Sequence, residues 1–271
     1  AMTLALAAGA IALPAAPAHA ADPITAADQS YFTYYHLDQA RAKGYSGKGV
    51  TIALIDGEVD TTVPELAGAT IIDKSPCTVT SSPFSKTHGT AIASLLVSKT
   101  YGVAPDATLL TYQTSLADDG DESGSECTFR NGNPIEDPTS LINRAISDGA
   151  QIISISSSDE NFDDATKWAI ARANALGVIV VSPMGNDAKD ETNNGYSKWS
   201  GVAGVGAIDT TGKVADYSSW GQGTTTAAVG GPIIVRNYET GNKAAADGTS
   251  YSTPLIAGFL ALSKQKWPNA T

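Results

Sequence analysis

Four short stretches of this sequence carry the side chains needed to cleave an acyl bond. Gly248-Thr249-Ser250-Tyr251-Ser252-Thr253-Pro254 sets a serine where a glycine-tight turn leads into an apolar helix, Leu255 to Leu262. Backbone N–H groups at a helix start are unpaired and lie at the positive end of the helix dipole, so Ser250 would stand beside ready donors for an oxyanion. A serine hydroxyl is barely ionised at neutral pH and needs an adjacent base. His88, at the start of a helical pattern over His88–Ser98, is of the type that takes such a proton and returns it to a leaving amine. Asp56 ends the apolar run Val50–Asp56 and would fix the tautomer of that imidazole. Asn186 closes Ser182-Pro183-Met184-Gly185-Asn186, where its amide would face a developing oxyanion. Each stretch alone has an ordinary reading: a helix cap, a core histidine, an Asp-Gly turn, a Gly-Asn turn.

Bringing these residues together requires elements that end at one place. The strand candidates are Val50–Asp56, Thr108–Gln113, Gln151–Ser156, Val178–Ser182 and Val202–Ala207. Continuous Val/Ile/Leu runs of this kind suit strands covered on both faces, as in a parallel sheet. Helical patterns lie between them: His88–Ser98, a stretch capped by Asp137-Pro138 and ending at Asp148-Gly149, and Asp164–Leu176. The alternation predicts one α/β domain, a doubly wound, mainly parallel sheet with helices on both faces. Such folds place their sites at the C-terminal ends of strands, where Asp56 and Asn186 both fall.

Aspartate, then histidine, then serine, with Gly102-Val103-Ala104-Pro105-Asp106-Ala107 after the histidine helix, resembles the subtilisin-like serine proteases (subtilases) over Tyr45 to Trp267. The resemblance implies Asp56, His88 and Ser250 as a catalytic triad and Asn186 as the oxyanion donor. It also makes Ser156-Ser157-Ser158 one rim of a substrate cleft, where an extended peptide would add as a strand. The expected activity is endopeptidase cleavage of protein or peptide substrates by an exported monomer. A peptide-binding domain with weak or no turnover is the alternative. It is motivated by departures from the family pattern: Gly57-Glu58 after the aspartate, Ala91 where a second histidine is common, and Ser157-Ser158 in place of Leu-Gly. The link from Ser98 to Gly102 leaves out a loop that carries calcium in many relatives. The segment before the domain leaves no room for an inhibitory prodomain, a trait shared with the mycosins of type VII secretion in actinobacteria. Their C-terminal membrane anchor would lie beyond Thr271, after what reads as a cut-short helix end.

The first twenty residues carry no Asp, Glu, Lys or Arg, and Ala18-His19-Ala20 has the form of a signal-peptidase site. Residues 1–20 are therefore read as a signal peptide already cut at its start, 21–30 as a short N-terminal segment, and 31–271 as the peptidase domain. A net charge of −11 argues against nucleic acid as a partner. After export the pair Cys77 and Cys127 reads as one disulfide, with no second Cys or His at metal-ligand spacing. Between Ala117 and Asp137 the chain is polar, with Asp118, Asp119, Asp121, Glu122 and Glu126 close together. The spacing does not fit an EF-hand loop, so no cofactor is required, with room left for a weak structural calcium.

Overall fold

The computed structural model describes residues 22–116, 129–130, 133–134, 137–157, 163–190 and 195–270. Two short helices, α1 (Ser30–Tyr34) and α2 (Leu37–Ala42), lead to β1 (Thr51–Asp56), β2 (Thr70–Asp73), α3 (Pro83–Val97) and β3 (Thr108–Gln113). A two-residue ladder of β4 (Phe129–Arg130) and β5 (Asn133–Pro134) precedes α4 (Pro138–Ser147), β6 (Ile152–Ile155), α5 (Asp164–Ala175) and β7 (Ile179–Pro183). Then come β8 (Val202–Ile208), β9 (Thr224–Val229), the hairpin β10 (Ile233–Arg236) and β11 (Lys243–Ala246), and α6 (Thr249–Lys266).

Seven strands form one sheet in the order β2-β3-β1-β6-β7-β8-β9, every neighbouring pair parallel. Alternation along β1 explains why it is apolar throughout. Ile52 and Leu54 enter the core shared with α3 and α6, while Ala53 and Ile55 enter the one shared with α4 and α5. Burying each of the Ile and Leu side chains contributes about 1.5–3 kcal/mol. The sheet is thus doubly wound, as the strand and helix patterns predicted.

Two helices differ from their sequence reading. α3 starts at Pro83 rather than His88, because Ser82 caps it by accepting from Ser85 N at 3.1 Å and Pro83 occupies the first helical position. α6 runs Thr249–Lys266 rather than Leu255 to Leu262, so Ser250 lies inside its first turn. The strands β2 and β9 carried no clear signal because they are the two sheet edges, and much of each is exposed. Residues 22–30 pack onto the body: Ile24 is in the core, and Ile24 N donates to Glu65 Oε1, which pairs with Arg236 at 2.6 Å. Gln29 bonds both backbone groups of Ile234, donating to its oxygen at 2.8 Å and accepting from its nitrogen at 3.2 Å. Among the described residues no helix is long and apolar enough to cross a membrane.

Candidate active site

Asp56, the last residue of β1, is 1% exposed. Its Oδ1 accepts from Gly57 N at 2.7 Å and lies 2.8 Å from His88 Nδ1. A carboxylate only accepts, so Nδ1 carries the proton and Nε2 is left with its lone pair. Two glycines permit this contact. A Cβ on Gly57 would collide with Ser85, and one on Gly89 would collide with the Gly57 carbonyl, so the strand end and α3 touch backbone to backbone. Burial opposes the imidazolium, but the Asp56 charge and its hydrogen bond outweigh it and hold the His88 pKa above the ordinary histidine value.

Ser250 enters from α6. A Cβ added to Gly248 would lie 3.1 Å from Ser250 Oγ and 3.3 Å from Asn186 Nδ2, so any side chain there would crowd both the hydroxyl and the amide. The direction of that amide is fixed by Thr249. Asn186 Oδ1 accepts from Thr249 N at 2.8 Å and from Thr249 Oγ1 at 2.9 Å, which leaves Nδ2 as the free donor. Thr249 Oγ1 also accepts from Gly185 N at 3.2 Å, tying the end of β7 to the start of α6. Asp56 and His88 are hydrogen-bonded. Ser250 and His88 share a cleft without a bond between them, and such pairs are often loose until substrate binds.

The cleft has a volume of about 710 Å³ and takes in His88, Asn186, Ser250, Ser156 and Ser157. Ser158 and Cys127 lie outside the described residues, as do Asp118, Asp119, Asp121, Glu122 and Glu126. Thr114, Ser115 and Leu116, which lead into that acidic segment, line the cleft. Among the described residues no group of three or more His, Cys, Asp or Glu could hold a metal ion.

Three residues were not singled out by sequence reasoning. Thr249 sits within the serine motif, but its contact with Asn186 spans 63 positions and has no local signature. Phe84 and Tyr251 pack on His88 with ring centroids 6.0 and 5.5 Å away. Phe84 belongs to the added turn of α3; the Ser82-Pro83 cap was its available signal.

The subtilase family model matches residues 47–271. A thermostable alkaline protease of Halalkalibacterium halodurans is 29% identical over 248 residues, covering 88% of this chain and 63% of the relative. Subtilisin E of Bacillus subtilis is 28% identical over 255 residues, covering 88% and 62%. The chain therefore spans less than two thirds of these relatives' length. Among solved structures, the prenylagaramide maturation protease PagA matches with a TM-score of 0.68 and 25% identity over 87% of this chain and 82% of that one. The protease domain of PatA, as an S218A mutant, shares the fold at a TM-score of 0.68 and 24% identity, over 83% and 84%.

Proposed function

The chain belongs to the subtilase family, and from that premise we propose that it is an exported serine endopeptidase working through an acyl-enzyme at Ser250. The observation that carries the reading is that Ser250 Oγ and Asn186 Nδ2 lie on the same side of Gly248, 3.1 and 3.3 Å from where a Cβ would stand, in the cleft that also holds His88. A scissile carbonyl seated in that cleft would have its carbon beside the hydroxyl and its oxygen beside the amide.

The chemistry follows from the atoms present. Ser250 Oγ attacks the carbonyl carbon while His88 Nε2 takes the hydroxyl proton. Asp56 holds the Nδ1 proton and stabilises the imidazolium. The oxyanion accepts from Asn186 Nδ2, a donor already oriented by Thr249. Collapse breaks the C–N bond, and His88 returns its proton to the leaving amine. Water, deprotonated by the same nitrogen, then hydrolyses the ester and restores Ser250.

No metal takes part in these steps, and turnover persists after chelation. Ser156-Ser157-Ser158 forms one cleft rim for an extended protein or peptide substrate. Residues 1–20 act as the signal peptide, the peptidase domain works as a monomer, and Cys77 pairs with Cys127. The altered rim at Ser157-Ser158 favours the rival reading, a domain that holds peptides without cutting them. A fluorophosphonate probe separates the two. Labelling confined to Ser250 and lost in Ser250→Ala and His88→Ala supports the enzyme, whereas a folded protein that stays unlabelled supports the binder.

A further inference from the structure

The turn that α3 gains ahead of His88 places an aromatic ring in the cleft. Ser82 and Pro83 fix where the helix begins, so Phe84 and His88 stand four residues apart on one helix face. Their rings lie 6.0 Å apart and 27° from parallel. Phe84 is nevertheless 44% exposed. It lines the same cleft as His88 and Ser250, which the exposed Trp168, Trp220 and Trp267 do not. Two residues further along, Lys86 pairs with Glu58 at 3.0 Å and Asp60 at 3.6 Å, so its charge is matched. Phe84 thus offers a partly uncovered apolar surface beside the histidine, and such surface in a concave site marks a place where ligand is covered.

We propose that Phe84 is a specificity-determining residue: an apolar shelf that takes an aromatic or branched aliphatic side chain from the substrate residue lying against the His88 ring. This rests on the endopeptidase reading. The gain comes from removing the exposed part of the Phe84 ring and the substrate side chain from water together. Differences of this kind in apolar pockets discriminate substrates by about 10–200-fold.

The test is kcat/KM on a peptide series in which each position flanking the cut is varied in turn among Gly, Leu and Phe. Wild type should prefer Leu or Phe over Gly at one flanking position by about tenfold or more. Phe84→Ala should abolish that preference, with the loss on the Leu and Phe peptides exceeding any loss on the Gly peptide by about tenfold and acting mainly through KM. Phe84→Leu should recover the preference for Leu. An equal loss on every peptide, Gly included, would mean that Phe84 acts through His88 and would overturn the shelf, as would an unchanged preference in Phe84→Ala. The rate of fluorophosphonate labelling at Ser250 keeps the two readings apart. A wild type that fails to label defeats the endopeptidase reading. Equilibrium binding of the Leu and Gly peptides to Ser250→Ala, with and without Phe84→Ala, then decides the shelf without turnover. A Leu advantage that survives loss of Phe84 refutes it.

Discussion

Replacing Thr249 by valine removes one hydroxyl with little change in shape and isolates how Asn186, the proposed oxyanion donor, is held. Thr249 Oγ1 donates to Asn186 Oδ1 at 2.9 Å and accepts from Gly185 N at 3.2 Å, and both bonds vanish in the variant. The backbone bond from Thr249 N to the same Oδ1, at 2.8 Å, remains. Asn186 therefore keeps one of two tethers, and the amide still points the right way but over a wider arc. The oxyanion asparagine of subtilisin, a relative in this family, is worth roughly 2.7–4 kcal/mol by mutagenesis. Losing part of its orientation should cost about 1–2 kcal/mol, or roughly five- to thirtyfold in kcat, with KM little changed. Leaving Gly185 N without its acceptor should also lower stability by about 1–3 kcal/mol. Asn186→Ala should lose more activity than Thr249→Val, and the double variant little more than Asn186→Ala alone, because one group acts through the other. Steady-state kinetics at substrate concentrations spanning KM reads all three variants. A Thr249→Val enzyme within twofold of wild type in kcat, or a double variant whose losses multiply, would refute the reasoning.

The remaining expectations concern charge and covalent constraint. The base must be neutral and the His88 pKa is raised, so the acid limb of kcat/KM should lie above the ordinary histidine value of about 6.5. The same shift stabilises the fold while His88 is protonated: the contribution is complete below about 6.5 and lost as pH rises through the folded value, so His88→Gln should flatten the fall in Tm across that window. Reducing a Cys77–Cys127 bond, which would close a loop of about fifty residues, should destabilise by roughly 4 kcal/mol; thiol titration of the unreduced protein that finds two free cysteines would remove this expectation. Peptides with Lys or Arg upstream of the cut should be cleaved faster than acidic versions at low salt, because the acidic segment follows cleft-lining Leu116. Equal kcat/KM for both at two ionic strengths would leave that segment a solvated surface.

Strands buried on both faces were legible because their continuous apolar character is a local property. Four of the five expected strands match within a residue at each end, and Thr108–Gln113 matches at both ends. Their alternation with helices was enough to place Asp56 and Asn186 at strand ends. Edges were illegible for the converse reason: β2 and β9 are partly solvated and Thr-bearing, so their patterns resemble loops. The start of α3 was hidden because its first turn is polar apart from Phe84, and an apolar run marks the core face rather than the cap. The Asn186–Thr249 tether and the fit of Gly57 against Ser85 join parts of the chain that share no sequence pattern.

The side-chain clasp of Gln29 on Ile234 bears on how the chain reaches this structure. It joins positions 205 residues apart, and Glu65 and Arg236 meet across 171 beneath the same segment. Loop-closure entropy grows with the span, so such contacts form only after the intervening strands have found their neighbours. The clasp should therefore be missing from the folding transition state. Weakening it with Gln29→Ala should hasten unfolding while leaving the folding rate nearly unchanged. A bond outside the cleft lining would then set how long the native protein persists rather than how quickly it arises.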